Sequence, residues 1–342
     1  MRILFDIGHP KDVNVFRNVI KLLEKKGHDI KIVARAKENA EQLLNEYGLD
    51  YDVCRYYNHI SGKIIGILAI DIILYRIARK FKPDVFVSPA SPYSAHVSRL
   101  LRKPHLAFPD TEIANFVIKL MLPFTDEIYT SSSFYLDLGK KHKRFDSYFE
   151  LAYLNPKYFK PDKEVIKKYE LNDDYIILRL SALASHHDIG ASGFSFRNEN
   201  ELKSYIEKLE EYGRVILISE TNKWPLIKKY QLKIDPKDFH QLLFFAKMYI
   251  GEGATMASES AILGVPSIYV SSTRRGYLDE LETKYGLVFS ISNKNKAFEK
   301  ATELLKNNNI KNIWALKREK MIDEKLDPVD FMVNCIENVK RR

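Results

Sequence analysis

One short stretch of the chain, residues 251–266, combines small residues, hydroxyls and a carboxylate in a spacing that suits an anionic ligand. Gly253 and Ala254 leave room for a ligand to approach the backbone. Thr255 is predicted to be the N-cap of a short helix, and Gly264 is predicted to end it. The first N–H groups of such a helix, together with its positive dipole end, favour a phosphate.

A carboxylate, Glu259, follows Thr255 by four residues in the same predicted helix. It would repel a phosphate in direct contact, but it could bind the hydroxyls of an attached sugar. Amides for a phosphate and a carboxylate for a ribose together predict a nucleotide-sugar site. Many α/β proteins have similar glycine-rich turns that bind nothing, so a purely structural turn stays open as the alternative.

A basic loop, residues 271–276, follows the next predicted strand and holds Thr273, Arg274 and Arg275. Because it lies one strand beyond the helix described above, it would place a guanidinium near a bound diphosphate. A solvated basic loop with no ligand is the alternative.

Candidate acid–base groups follow two predicted strands in the first half of the chain. Gly8 permits a tight turn after the first strand, and His9 could act as an acid, a base or a donor. Asp110 and Glu112 follow the strand at 105–108, and such a pair could supply a general base. For His9 the alternative is a structural or merely exposed loop histidine. For Asp110 and Glu112 the alternative is an Asp or Thr N-cap with a first-turn Glu, which fits the local pattern equally well.

A histidine pair follows the strand predicted at 175–180, which itself carries Arg179. Ser185, His186 and His187 could contact a diphosphate or a sugar, and His186 could transfer a proton. A metal site is not expected, because adjacent histidines point apart and a third ligand is not evident.

The charge balance favours an anionic partner. The 342 residues include 54 Lys and Arg against 45 Asp and Glu, a formal net charge of +9. A nucleotide sugar or an acidic membrane face would suit this balance. A nucleic acid is not expected, because the charges are dispersed and the aromatic residues are not gathered into an RNA-reading pattern.

The most apolar window, residues 64–78, contains Asp71 and Arg76 and is too short and too charged to span a bilayer. It is predicted to be a core helix, and a surface that touches lipid stays open as the alternative.

Cys54 and Cys335 are far apart and indicate no disulfide framework. The chain opens directly on a strand pattern, so we expect no signal peptide and a cytoplasmic location, with peripheral membrane contact left open.

Short apolar runs alternate with helical patterns in both halves of the chain, which predicts an α/β fold with two Rossmann-like, parallel-sheet domains. We expect an N-terminal domain at 1–150, a linker at 151–172, a second domain at 173–326, and a C-terminal helix at 327–342 that packs back on the first domain. The two domains are expected to face each other across a cleft, with ligands at the carboxyl ends of the strands.

This pattern resembles the GT-B glycosyltransferase and nucleotide-sugar 2-epimerase superfamily, and most closely the domain of unknown function 354 family within it. Four segments carry the resemblance: Gly8-His9-Pro10, Pro109-Asp110-Thr111-Glu112, Ser185-His186-His187-Asp188, and Glu252-Gly253-Ala254-Thr255 with Glu259. The resemblance implies that the diphosphate meets the backbone at 253–255, that Glu259 holds the ribose, and that loop 271–276 contacts the donor. It implies more loosely that the base is read near the end of the strand at 215–219 and residues 220–222, and near Ile234 and Phe239.

The chain also departs from the superfamily pattern. The 2-epimerases show His-Gly-Asp where this chain has Ser88-Pro89-Ala90, so their acidic groups for proton abstraction are largely missing. The resemblance therefore favours a glycosyltransferase-like enzyme that moves a sugar from a nucleotide-diphosphate sugar to a sugar or lipid-linked acceptor, with no metal and no other cofactor. The alternatives are a 2-epimerase or hydrolase that uses Asp110, Glu112 and a histidine, and a non-catalytic nucleotide-sugar-binding protein. A homodimer is also left open.

Overall fold

The computed structural model describes residues 1–35, 39–54, 63–181, 193–219 and 224–340, apart from the side chains of residues 63–65, 114 and 115. The chain forms two compact units. Unit 1 is Met1–Tyr158 together with Leu326–Arg342, and unit 2 is Phe159–Lys325. The C-terminal segment therefore belongs to the first unit.

Unit 1 is built on a seven-stranded parallel sheet. Its strands are β1 (Arg2–Ile7), β2 (Asp29–Arg35), β3 (Tyr51–Cys54), β4 (Val85–Ser88), β5 (His105–Ala107), β6 (Glu127–Ser131) and β7 (His142–Phe145). They lie in the order β3-β2-β1-β4-β5-β6-β7. Its helices are α1 (Pro10–Lys25), α2 (Ala40–Glu46), α3 (Lys63–Phe81), α4 (Pro92–Leu100), α5 (Asn115–Met121), α6 (Leu151–Leu154) and α14 (Pro328–Glu337).

Successive residues of these strands pack against opposite faces of the sheet, as the two-residue period of a strand requires. Leu4 of β1 joins a buried cluster with α3 and α4, whereas the ring of Phe5 lies 5.5 Å from that of Phe16 on α1. Helix α14 packs on the α1 side, where Phe331 stacks on Phe145 of β7 at 4.6 Å. Helices α3, α4 and α5 thus cover one face of the sheet, and α1 and α14 cover the other.

Unit 2 is built on a five-stranded parallel sheet in the order β12-β11-β10-β8-β9. The strands are β8 (Tyr175–Leu180), β9 (Arg214–Ser219), β10 (Met248–Gly251), β11 (Ser267–Tyr269) and β12 (Val288–Ser290). Its helices are α7 (Lys163–Lys168), α8 (Glu199–Glu210), α9 (Phe239–Phe245), α10 (Ala254–Ile262), α11 (Gly276–Thr283), α12 (Lys294–Leu305) and α13 (Ile310–Glu324).

The stretch 151–172, expected to be a linker, is divided between the two units instead. All four residues of α6 are buried in unit 1, and α7 packs on α9 in unit 2. The apolar residues of α6 explain the difference, because burying them stabilises the fold more than leaving them in a solvated connection.

Each sheet has one point where the strand order reverses: β1 beside β4 in unit 1, and β8 beside β10 in unit 2. In open parallel sheets the crevice at such a point is the usual place for a ligand. The loops after these four strands are therefore where a site is expected. Within the described ranges, no helix combines the length and apolarity needed to cross a bilayer.

Candidate functional site

The turn after β10 leads directly into α10. Gly253, not Thr255, is the N-cap of this helix, so the predicted N-cap is wrong. Gly253 has an extended conformation, with φ −83° and ψ 108°, and its carbonyl accepts the hydrogen bond from the Ala257 N–H, which places Thr255 inside the first turn. No side chain caps the helix. Gly264 follows the last turn with φ +79°, as a helix-ending glycine does.

Two glycines on this turn allow close packing around Tyr249 and Arg179. A Cβ on Gly251 would lie 2.6 Å from both the Arg179 Cβ and the Tyr249 hydroxyl oxygen. A Cβ on Gly253 would lie 3.2 Å from the Tyr249 oxygen and 3.6 Å from Arg179 Nε. The structure therefore brings Arg179, Gly253 and the start of α10 together. A guanidinium beside the positive end of a helix is a combination that an anion stabilises.

The carboxylate of Glu259 lies in the second half of α10 and is buried. His240 Nε2 on α9 lies 3.0 Å from its Oε1, and both side chains are less than a tenth exposed. Glu259 is therefore held in place by a histidine that the sequence reasoning did not identify. The contact of Glu259 with a ribose stays a prediction.

The basic loop after β11 is held by its own neighbours. The Thr273 hydroxyl lies 2.9 Å from the hydroxyls of Tyr269 and Ser271. Arg274 forms ion pairs with Asp279 at 2.6 Å and with Glu282 at 3.5 Å, both on α11. Arg275 is buried as the N-cap of α11, and it donates to the Arg274 carbonyl. These contacts fit the structural interpretation of the loop at least as well as donor binding.

Glu252 has a role that the sequence reasoning missed. Its Oε2 accepts hydrogen bonds from the Ser181 N–H and hydroxyl, and its Oε1 accepts one from the Phe194 N–H at 2.8 Å. A Cβ on Gly193 would lie 2.1 Å from Oε1. Burial raises the pKa of Glu252, although these donors act against it. One carboxylate therefore fixes the residues on both sides of positions 182–192. The predicted residues Ser185, His186 and His187 lie outside the described residues, as do residues 220–222.

In unit 1, His9 and Asp12 cap the start of α1. His9 is the N-cap, and its Nδ1 accepts from the Lys11 N–H at 3.2 Å. The Asp12 carboxylate accepts from the Gly8 N–H at 3.0 Å. Gly8 is closely packed, because a Cβ there would lie 2.1 Å from the Arg35 guanidinium. Burial raises the pKa of Asp12 to about 6, with His9 opposing the shift and Asp110 adding to it.

The side chain of Lys11 holds Asp110. Its Nζ lies 2.6 Å from Asp110 Oδ2 and 3.1 Å from Glu150 Oε1, and the lysine is only 8% exposed. Burial pushes the pKa of Asp110 upward, but the Lys11 ammonium outweighs it and holds the pKa below its usual range. Glu112 is buried, and its Oε1 accepts from the Tyr135 N–H. Asp110 is thus held by a lysine side chain and Glu112 by a backbone N–H, so the two carboxylates have different partners.

A buried network lies under this strand edge. Asp6 at the end of β1 forms an ion pair with Arg35 at 2.8 Å, and it accepts hydrogen bonds from the hydroxyls of Ser91 and Ser94. The Ser91 hydroxyl also caps α4, because it accepts from the Ser94 N–H. The network joins β1, β2 and α4 and fixes the edge on which His9 and Asp12 stand.

Taken unit by unit, these groups offer two kinds of chemistry. The start of α10 with Arg179 can hold an anion. His9 and Asp12 offer a donor and a titratable carboxylate, while Asp110 is neutralised by Lys11. Among the described residues, no three His, Cys, Asp or Glu side chains are grouped as metal ligands.

Two parallel sheets with these strand-end turns define an α/β protein of the GT-B class. The chain belongs to the family described as protein of unknown function (DUF354), whose profile matches residues 1–341. It is 26% identical over 277 residues to the uncharacterized protein MJ0665 of Methanocaldococcus jannaschii, covering 77% of this chain and 80% of that one. The predicted family and fold class are thereby confirmed.

Solved structures show the same fold. The chain is similar to the UDP-GlcNAc 2-epimerase of Methanocaldococcus jannaschii, with a TM-score of 0.70 and 15% identity, covering 99% of this chain and 100% of that one. It is also similar to the spinosyn rhamnosyltransferase SpnG complexed with thymidine diphosphate, with a TM-score of 0.62 and 12% identity, covering 99% of this chain and 100% of that one. At these identities the similarity establishes the fold alone.

Proposed function

We propose that unit 2 binds a nucleoside-diphosphate sugar at the start of α10, and that the protein transfers the sugar to an acceptor hydroxyl without a metal. The main support is the position of Arg179 beside Gly253, at the point where the strand order of unit 2 reverses. Ligands of open parallel sheets bind at this point, and phosphates bind where helix N–H groups are exposed.

The leaving group would be stabilised by unit 2. In the transfer step, the acceptor oxygen bonds to the anomeric carbon while the bond from that carbon to the diphosphate breaks. The electron pair leaves with the diphosphate. The first amides of α10 and the Arg179 guanidinium would stabilise the negative charge that the diphosphate gains. Fixed donors of this kind act where charge develops, and mutational losses for a single donor are typically about 100- to 1000-fold in rate.

The acceptor proton would pass to Asp12. Since Nδ1 of His9 accepts from the Lys11 N–H, Nε2 carries the proton of the neutral ring, and His9 serves better as a donor than as a base. Asp110 is a poor base because Lys11 lowers its pKa. Asp12, with a pKa of about 6, is ionised at neutral pH and remains basic enough to accept a proton.

The known relatives fit this proposal. One is an epimerase named for a nucleotide sugar, and another is a rhamnosyltransferase that was solved with a nucleoside diphosphate. Epimerisation at the sugar is the second candidate function. Asp12, His9 and Asp110 interact electrostatically with one another, and such a group could also remove and return a proton at a sugar carbon.

Titration calorimetry with UDP, TDP and GDP tests the binding step. We expect at least one of them to bind, and Arg179→Ala to weaken that binding about tenfold or more, the loss of a charge-assisted hydrogen bond. Arg274→Ala is the matched control, since Arg274 is paired with Asp279 and Glu282. Glu259→Ala tests the ribose contact. If the wild-type protein binds none of the three nucleotides, the proposal is wrong.

Incubation with a panel of nucleotide sugars in deuterated water separates the two reactions. Solvent deuterium at C2 of the recovered sugar would identify epimerisation. Release of nucleoside diphosphate only when an acceptor is added, with no deuterium at C2, would identify transfer.

A further inference from the structure

The outer side of the helix layer formed by α3, α4 and α5 exposes large apolar side chains. Leu68 and Ile72 on α3 are 58% and 52% exposed, Leu100 on α4 is 68% exposed, and Phe116 on α5 is 74% exposed. The three helices pack side by side over one sheet face, so these residues lie on the same side of unit 1. We call this side the α3–α5 face.

The segment that forms α3 and α4 of this face is also basic. Between positions 63 and 103 the sequence has eight Lys and Arg but only two acidic residues, Asp71 and Asp84. Both acids are already bonded: Asp71 lies 3.0 Å from His96 Nδ1, and Asp84 accepts from the Arg2 N–H at 2.8 Å. Among the side chains of this segment that the structure describes, the exposed cations are Arg76, Arg79, Lys80, Lys82, Arg99 and Arg102. Neither acid is paired with one of these cations in the bonds above, and the exposed cations outnumber the two acids.

The spacing on α3 orders these groups along one stripe. Leu68, Ile72 and Arg76 follow one another at four-residue intervals, which places them on the same side of the helix. Lys80 continues the stripe by one more turn. Exposed aliphatic side chains thus lead directly into exposed cations, the arrangement of a helix that rests in the interface of a bilayer.

We infer that the α3–α5 face binds the surface of an anionic lipid bilayer, with Leu68 and Ile72 entering the headgroup layer and the cations meeting lipid phosphates. A nucleic acid would gain from the cations but not from exposed Leu and Ile side chains. An anionic bilayer matches both properties, because apolar burial and attraction to its negative surface act together. The inference does not depend on the proposed function.

Flotation of the full chain with vesicles tests the inference. Vesicles of phosphatidylcholine alone are compared with an equal mixture of phosphatidylcholine and phosphatidylglycerol, at about 0.1 M salt, where the Debye length is about 10 Å. We expect binding to the anionic vesicles only. The pair Arg76→Gln and Lys80→Gln should weaken it about 25-fold, from about fivefold for each cation. The pair Leu68→Ser and Ile72→Ser should weaken it about tenfold or more.

Matched controls come from unit 2. Its side chains Leu226 and Leu316 are also exposed, but they lie in separate elements. Leu226→Ser with Leu316→Ser, and Lys228→Gln with Lys233→Gln, should leave vesicle binding unchanged. All the substituted side chains are exposed or remote from the sheets, and a thermal melt of each variant checks that the fold is retained.

A tryptophan probe tests the depth of contact directly. Leu68→Trp should be quenched by brominated lipid in anionic vesicles, whereas Leu316→Trp should not. The inference is overturned if wild-type protein does not bind the anionic vesicles, or if both double variants on α3 bind them as the wild type does. Binding to a DNA duplex that the Leu68→Ser and Ile72→Ser pair leaves intact, with no quenching of the Leu68→Trp probe, would identify a polyanion site and also overturn it.

Discussion

Arg179 on β8 and Gly251 on β10 are register partners, and their approach is so close that a Cβ on Gly251 would lie 2.6 Å from the Arg179 Cβ. Gly251 is thus required by packing between two central strands. The same arrangement carries the Arg179 side chain past Gly253, where space is less restricted. One glycine therefore serves the sheet, and the other leaves the start of α10 accessible to a ligand.

Substitution of these two glycines should separate folding from binding. Gly251→Ala forces a methyl group against the Arg179 Cβ and the Tyr249 ring, so we expect a loss of about 1–3 kcal/mol in the free energy of unfolding. Gly253→Ala is compatible with φ −83° and meets its nearest atom at 3.2 Å, so stability should change by less than about 1 kcal/mol. Its methyl group would instead lie between the amides and Arg179, and nucleoside-diphosphate affinity should fall about tenfold. Urea unfolding and calorimetry measure the two effects, and equal stability losses in both variants would contradict this assignment.

Lys11 is expected to be essential for the stability of unit 1. Lys11→Met leaves Asp110 and the buried Glu150 without their common cation, and breaking a buried ion pair typically costs about 3–5 kcal/mol. Lys21→Met, on the exposed side of the same helix, is the control and should change stability by less than about 0.5 kcal/mol. Urea unfolding of both variants decides the matter: a Lys11→Met protein as stable as the control would show that the pair contributes nothing.

The fold was predictable because its signals are local. Alternating apolar runs and helical patterns indicated both parallel sheets, and the predicted ends of α10, Thr255 and Gly264, lie within two residues of the observed N-cap and last residue. The error at Thr255 arose because a threonine hydroxyl can cap a helix, whereas here the extended backbone of Gly253 begins the helix and no side chain caps it. The relation expected between the two domains stays a prediction.

The site was only partly predictable, because its partners come from distant parts of the chain. Strand-end position was enough to select His9, Asp110, Arg179 and Gly253. It could not show that Lys11 reaches Asp110, or that Asp6 at the end of β1 meets Arg35 at the end of β2. Such pairs depend on strand order, which spacing along the sequence does not reveal. For the same reason, the sequence did not indicate that His240 contacts Glu259.

Glu252 provides a further case, since its partners lie 71 and 58 residues away along the chain. Glu252→Gln replaces one acceptor oxygen with a donor that must face the N–H of Ser181 or Phe194. An unsatisfied buried donor costs about 1–3 kcal/mol, so we expect a loss of that size in the free energy of unfolding. Glu299→Gln on the exposed side of α12 is the control. Urea unfolding measures both, and a neutral Glu252→Gln substitution would show that the carboxylate is not needed to hold these two N–H groups.

The raised pKa of Asp12 should appear in the pH dependence of both activity and stability. Its pKa rises from 3.8 to about 6, mainly through burial, so the carboxylate becomes ionised as the pH rises through about 6. If Asp12 is the base, kcat/KM should rise between about pH 5 and 7, measured with whichever nucleotide sugar of the panel the protein turns over. Asp12→Asn should remove that rise and lower the rate by about 100- to 10,000-fold.

The folded protein also binds this proton more tightly than the unfolded chain does, so Asp12 contributes stability at low pH that is lost as the pH rises through about 6. In Asp12→Asn this part of the pH dependence should disappear from urea unfolding curves, while Asp29→Asn, at an exposed position of β2, should keep it. An Asp12→Asn protein that retains both the activity rise and the stability slope would assign the titration to another group, and His9 would then be the first to substitute.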